Sequence, residues 1–325
     1  MRVLLLQLDG KLPNIALMRI AAHHLDCGDY VELRRAANES ALQPMMWDRF
    51  DLCYASLIFQ TTKPLADRLH EINPRAILGG TGWSLTTTLE GIGITTLRQD
   101  YSVYPGFRPS IGYSQRGCRL KCRFCVVPEK EGAVQDVAGV SLLWRGDPWP
   151  RQLLLLDNDF FGQPDWQRKV LEIQDGDFEV CLSQGINARF LTDETAAAMA
   201  GMRYRDDQFR KPRLYTAWDN RKDEDRLFNG LELLVRYGVK PDQIMVYMLI
   251  GYWPGETHDD RDHRRQRLRE FGARPYPMPF VRTQELVGFQ RWVIGAYDKR
   301  ISWDKWLKAR FHPNNLGSDR EYVML

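Results

Sequence analysis

The chain has 325 residues, 44% of them apolar, with 45 basic against 42 acidic side chains and a net charge of +3. These are the values of a soluble globular protein with room for about two domains, each with its own core. No stretch approaches the ~18 uninterrupted apolar residues of a membrane span, and six cysteines over this length do not make a disulfide framework. The opening run Val3-Leu4-Leu5-Leu6-Gln7-Leu8 is too short for a signal peptide and lacks a small-residue cleavage site, so it reads as a buried strand. Residues 14–26 then repeat apolar side chains at helical spacing, with Pro13 before them and Gly28 after. Residues 31–35 and 52–59 read as further strands, 64–73 as a helix closed by Pro74, and 76–78 as a fourth strand ending in Gly79-Gly80-Thr81-Gly82. Strands alternating with helices predict a parallel sheet covered on both faces, an α/β doubly wound, Rossmann-like domain over residues 1–100. Its ligand position is the carboxyl ends of the strands, where the glycine loop lies; a turn that needs glycine explains that loop equally well. Cys27 and Cys53 are expected as small core residues, and His23 and His24 as surface or helix-end residues.

From residue 105 the strand candidates are evenly spaced, at 110–114, 152–157, 178–183, 213–219, 243–250 and 274–280. Six parallel strands fall short of the eight that close a full barrel. Directly after the first comes Gly117-Cys118-Arg119-Leu120-Lys121-Cys122-Arg123-Phe124-Cys125. Three thiols at this C-x3-C-x2-C spacing can hold three irons of a 4Fe-4S cluster and leave the fourth open to a substrate or cofactor. A structural zinc would be closed by four protein ligands, and a ferredoxin cluster by four thiolates. Here the next cysteine is Cys181, and no histidine follows until His258. A thiolate cluster site implies a reducing compartment, hence a cytoplasmic location.

The cysteine run, with Phe124 before its last cysteine and Ser114-Gln115-Arg116-Gly117 leading in, resembles the radical S-adenosylmethionine (SAM) superfamily. The resemblance covers residues 105–281 and implies an open (β/α)6 half-barrel whose 4Fe-4S cluster is held by Cys118, Cys122 and Cys125. It implies that SAM chelates the open iron and that one electron cleaves it to a 5′-deoxyadenosyl radical. An electron donor such as flavodoxin or ferredoxin is implied as a partner. SAM contacts are then expected at the strand ends, where barrel chemistry collects. After the second strand, Asp157, Asn158 and Asp159 offer acceptors to SAM's amino group, although such residues also cap helices well. After the third, Gln184 and Asn187 suit ribose hydroxyls, and Arg189 could fork onto the SAM carboxylate or pair with Asp193 or Glu194. After the fourth, Asp219 points into the cavity if alternation holds. After the fifth, Gly251 matches the turn beside adenine. Cys181, mid-strand, is expected as a core thiol, although an interior cysteine could also accept a radical. No residue is singled out as a catalytic acid, base or relay.

The N-terminal domain resembles the cobalamin-binding domain that precedes the barrel in one radical SAM subfamily, which implies a corrinoid there. The subfamily's Asp-x-His-x-x-Gly motif is absent, since this loop reads Leu8-Asp9-Gly10-Lys11-Leu12-Pro13. After the fifth strand, Arg261, Arg264, Arg265, Arg267 and Arg269 with His263 read as a solvated outer helix, and as a weaker nucleic-acid patch. Residues 282–325 form a helical segment whose Phe289, Trp292, Tyr297, Trp303, Trp306 and Phe311 are expected to pack across the open side of the half-barrel or to wall the substrate pocket. The sequence thus predicts a radical SAM enzyme acting on an unidentified substrate. The alternatives are cobalamin-dependent methyl transfer, tRNA methylthiolation and a non-enzymatic iron-sulfur or zinc module. Methylthiolation calls for three more cysteines in the N-terminal domain, where only Cys27 and Cys53 occur.

Overall fold

Val3, Leu4, Leu5 and Leu6 are all fully buried, because the strand that carries them is covered on both faces. It is β1 (Arg2–Gln7), and it is followed by α1 (Ile15–Asp26), β2 (Tyr30–Arg35), β3 (Leu52–Ser56), α2 (Lys63–Ile72) and β4 (Ile77–Gly79). The strands pair in parallel in the order β2-β1-β3-β4. Leu17, Ile20 and Ala21 of α1 pack with Val3, Leu5 and Tyr54 on one face. Ala66 and Leu69 of α2 pack with Leu4, Leu6, Cys53 and Ala55 on the other. The computed structural model describes residues 1–42 and 49–310. Among these the chain divides into two compact units, Met1–Arg108 and a second beginning at Pro109.

Two expectations in the first unit are corrected. Cys27 is exposed rather than core, because it is the C-cap residue of α1. His24 is buried, because its ring bridges Asp29 at 2.8 Å and the Tyr54 hydroxyl at 3.2 Å.

The second unit runs β5 (Ser110–Gly112), β6 (Gln115–Arg116), α3 (Val127–Lys130), β7 (Gln135–Asp136), β8 (Gln152–Leu155), α4 (Trp166–Asp175) and β9 (Glu179–Leu182). It continues through α5 (Asp193–Ala200), β10 (Arg203–Tyr204), β11 (Leu214–Ala217), α6 (Glu224–Arg236), β12 (Ile244–Ile250), α7 (His258–Phe271), β13 (Arg274–Pro279), α8 (Gln284–Ile294) and α9 (Trp303–Arg310). Two parallel ladders, β5-β8-β9 and β11-β12-β13, hold the six expected strands in chain order. They meet where Ile186 N donates to Tyr215 O at 2.8 Å; the short β10 pairs with the start of β9. Prolines 275, 277 and 279 lack N–H groups and sit on the edge strand β13, where that loss is tolerated.

Alternation separates the two faces of this sheet. Leu153, Leu155, Val180, Leu182, Ile244, Val246, Met248 and Ile250 join the helices in one core. The intervening positions place Cys181, Tyr215, Tyr247 and Tyr276 on the opposite face. There Tyr215 and Tyr247 stack at 5.6 Å, and Tyr276 meets Tyr247 edge-on at 5.6 Å.

Helix α7 is not a solvated helix. Arg261 and Arg264 are buried, and Arg265 and Arg269 both reach the fully buried carboxylate of Asp298. The aromatic helices do not cross the open side. Leu286, Phe289, Trp292 and Trp306 belong to the outer core, and Trp303 packs on Phe289 and His258 there. Phe311 lies outside the described residues. Among the described residues no helix is long and apolar enough to cross a membrane.

Candidate functional site

The three cysteines occupy a loop whose two ends are tied together. Antiparallel pairing of β6 with β7, Gln115 with Asp136 and Arg116 with Gln135, forms its neck. Beyond the neck Gly117 adopts φ +80°, and a Cβ there would lie 2.2 Å from the Ala133 carbonyl oxygen, so the position requires glycine. The Glu131 side chain, only 6% exposed, accepts from Gly117 N at 2.9 Å, Arg116 Nη2 at 2.8 Å and Asn158 Nδ2 at 3.0 Å. Burial opposes its charge, but the hydrogen bonds from Arg116 and Gly117 outweigh burial and hold its pKa below the usual carboxylate range. Cys118 N donates to Gly132 O at 3.3 Å.

Two buried charges brace the approach to this loop. Asp157 accepts from Ser114 N at 2.7 Å, from the Ser114 hydroxyl and from Gln115 N at 3.3 Å. Burial pushes its pKa up to about 6. Lys169 of α4, fully buried, donates to the carbonyls of Ser114 and Ala138 and pairs with Asp136 at 2.5 Å. Asp157 and Asn158, both expected beside SAM, thus hold the loop's entry.

The three thiols are partly buried, and two of them, Cys118 and Cys122, resist ionisation. Burial pushes Cys118 up to about 11; the Leu120 N–H opposes this, while Asp159 and the other two cysteines add to it. Cys122 is raised by burial as well, opposed by Arg189 and reinforced by Asp219 and Cys125. Three thiolates at this loop therefore call for a compensating cation, which a metal cluster supplies. Among the described residues no three His, Cys, Asp or Glu side chains converge to hold a single metal ion. A cubane asks for a different arrangement, with each thiolate on its own iron.

The strand ends bring further predicted residues to the loop. Asp159, buried after β8, pairs with Arg119 at 3.0 Å and lies 4.0 Å from the Cys118 sulfur. Arg189, after β9, donates to Asn187 Oδ1 at 3.1 Å and to Asp223 at 2.6 Å. Its expected partners are engaged otherwise: Asp193 with Arg236, and Glu194 with Gln167. Asp219, after β11, accepts from Leu249 N at 3.3 Å; burial raises its pKa, against Leu249 N–H, Arg189 and Arg264. Gly251, after β12, has φ +77° and packs so closely on α8 that a Cβ would meet Leu286 at 2.3 Å. Gln184 is exposed, and its amide contacts Ser183 at 3.5 Å.

Phe124 ties the loop to the end of β12. Its ring meets Tyr252 at 5.4 Å and Trp253 at 6.4 Å, and Trp253 Nε1 donates to Asp219 O at 2.7 Å. The β12 turn is held from behind, where Glu256 accepts from Gly251 N at 2.5 Å and from the buried Arg264. Arg264 also donates to Trp218 O at 2.9 Å and Leu249 O at 3.0 Å. Sequence reasoning missed Glu131, Lys169, Glu256 and the inward role of Arg264. Only the Glu131-Gly132 pair, a charge before a turn residue, carries a local signal.

In the first unit, the crevice at the carboxyl ends of β1 and β3 is where the strand order reverses. It is filled by buried polar side chains that satisfy one another. The Tyr104 hydroxyl donates to Gln7 Oε1 at 2.8 Å and accepts from Asn14 N at 3.2 Å. Asn14 Nδ2 donates to Ser56 Oγ at 2.9 Å. Gln7 Nε2 donates to the carbonyls of Asp9, Gly10 and Leu12, each at 2.9 Å, which pins the loop where a cobalt-ligating histidine would stand. Asp9 caps Ile58 N and Phe59 N at 2.8 and 2.9 Å. Gly80 abuts the backbone of Leu57, so that a Cβ at this position would lie 2.2 Å from Leu57 O. These residues do not fit a corrinoid.

No family model, no curated protein and no solved structure matches this chain.

Proposed function

We propose that the chain is a radical SAM enzyme, with its C-terminal unit a (β/α)6 half-barrel and its N-terminal unit a Rossmann-like domain. One observation carries the reading. Three thiols share a braced loop after the first of six parallel strands, and Asp159 from the end of the second lies 4.0 Å from the Cys118 sulfur and pairs with Arg119 of the loop. When bound, a 4Fe-4S cluster and SAM supply one-electron cleavage of SAM to methionine and a 5′-deoxyadenosyl radical.

The protein's own part is to bind and orient. Cys118, Cys122 and Cys125 would each hold one iron. The Arg189 guanidinium offers a planar fork to the SAM carboxylate. Asp159 presents an acceptor for the amino group from beside Cys118. Asn187 and Asp219 offer acceptors to ribose hydroxyls, and Phe124, Tyr252 and Trp253 exclude water from one side. The partly buried Tyr247 and Tyr276 on the opposite sheet face line the wall left for the substrate, while Cys181 is fully buried, a core thiol. The one-electron chemistry requires a reductant, for which a flavodoxin or ferredoxin is the partner we propose.

Anaerobic reconstitution with iron and sulfide, followed by SAM cleavage under dithionite, tests the reading. Wild type is expected to take up about four irons per chain, the cluster's own count, and to release 5′-deoxyadenosine, while Cys122→Ala releases none. Undiminished release by the variant, or a single tetrahedral zinc in the purified protein, overturns it.

A further inference from the structure

We infer that Glu131 is a positioning residue that holds the cysteine loop ready for a cluster before one arrives. The inference rests on the assignment of the three cysteines as ligands. Its structural basis is the convergence of three donors from two separate segments on one carboxylate. Arg116 belongs to the strand that enters the loop. Gly117 is the residue before Cys118. Asn158 is the residue before Asp159, whose carboxylate touches Cys118 and pairs with Arg119. Glu131 therefore links the two backbone segments that flank the first thiol.

The backbone contacts around the first thiol are too sparse to do this work alone. The neck below the loop is two residue pairs long, extended on the side away from the thiols by Val137 N and Ala138 N to Ser114 O at 3.0 and 3.3 Å. Above it, Cys118 N and Gly132 O make a long bond of 3.3 Å. The Glu131 side chain is nearly inaccessible, so water does not readily replace it as the acceptor for Gly117 N. The clamp does not extend to the other two thiols, whose local backbone bond is Cys125 N to Cys122 O at 3.0 Å. Its effect is thus directed at Cys118 and its iron.

Hydrogen exchange on the full-length protein without iron, with and without reconstitution, tests this, using wild type, Glu131→Ala and Glu131→Gln. In cluster-free wild type the amides of Gly117 and Cys118 are expected to be protected to within a few-fold of the loaded protein. Glu131→Ala should speed exchange there at least ten-fold, retain several-fold less iron after a chelator challenge, and broaden the reduced cluster's electron paramagnetic resonance signal. Glu131→Gln keeps an acceptor for Gly117 N and should fall between the two. Free exchange at Gly117 in cluster-free wild type overturns the inference, as does a folded Glu131→Ala protein with wild-type exchange and iron retention. If wild type takes up no iron at all, the ligand assignment fails. The exchange arm still decides the clamp in that case, even where Glu131→Ala does not fold.

Discussion

Arg189 reaches from the end of β9 to Asp223, the residue before α6, at 2.6 Å, and its charge lies near enough to the Cys122 thiol to oppose the effect of burial there. The guanidinium is thereby fixed in direction by a carboxylate while one side of it faces the cysteine loop. An arginine held in this way presents its remaining donors without first having to be ordered.

Removing that guanidinium tests its role in binding. Loss of a hydrogen bond to a charged group costs about 1.5–3 kcal/mol, or roughly 10- to 100-fold in affinity. Arg189→Met is expected to raise the SAM concentration needed for half-maximal 5′-deoxyadenosine release by that factor, with iron content unchanged. An unaltered SAM dependence would show that Arg189 serves Asp223 alone.

Lys169 is a stability determinant. Its ammonium is fully buried and serves two backbone carbonyls as well as Asp136. Lys169→Met leaves the Ala138 carbonyl without this donor, at a cost of about 1–3 kcal/mol for a group left unsatisfied, while the Ser114 carbonyl keeps Val137 N at 3.0 Å. Urea unfolding should show a lower midpoint at an unchanged slope. A midpoint equal to that of wild type would contradict this account.

Asp157 imposes a pH dependence of definite sign. Its pKa in the folded chain is pushed up from 3.8 to about 6, chiefly by burial. Between those values the folded state keeps a proton that the unfolded state has released. Stability from this group therefore falls as pH rises through the window, and is greatest below it. Asp157→Asn cannot titrate, so the difference in unfolding free energy between variant and wild type should move in the variant's favour from pH 4 to pH 6. A pH-independent difference would refute the assignment.

The filled crevice of the first unit predicts that added hydroxocobalamin is not retained by the reconstituted protein after desalting. Tyr104→Phe deletes a buried hydroxyl that serves both Gln7 and Asn14. It should lower stability by about 1 kcal/mol or more without creating corrinoid uptake. Stoichiometric corrinoid absorbance in wild type would show that the network opens.

Much of the scaffold is legible in the chain because the signals are local and periodic. The run from Val3 to Leu6 marks a strand buried on both faces, and the alternation from Ile244 to Ile250 marks one with two unlike faces. Apolar runs overstate strand length: the third predicted strand of the first unit, 52–59, ends at Ser56, and beyond Leu57 the N–H groups of Ile58 and Phe59 are captured by Asp9. Charge is the least legible feature. The arginines of α7 look solvated in sequence, yet their partners Glu256, Glu285 and Asp298 come from outside the helix. Cys27 and His24 depart from expectation for the same reason, since burial near a helix end depends on what else packs there.

The amino-acid order alone determined that three thiols would lie close together on one loop, because their spacing of four and three residues leaves the chain little freedom to separate them. It also determined that this loop would follow a strand in a series of parallel strands. Only the tertiary structure decided which groups brace and face the loop. Glu131 meets Asn158, Arg189 meets Asp223 and Lys169 meets Ser114 across 27, 34 and 55 residues. Those pairings are set by strand register and helix packing, and a pattern of neighbouring residues does not encode them.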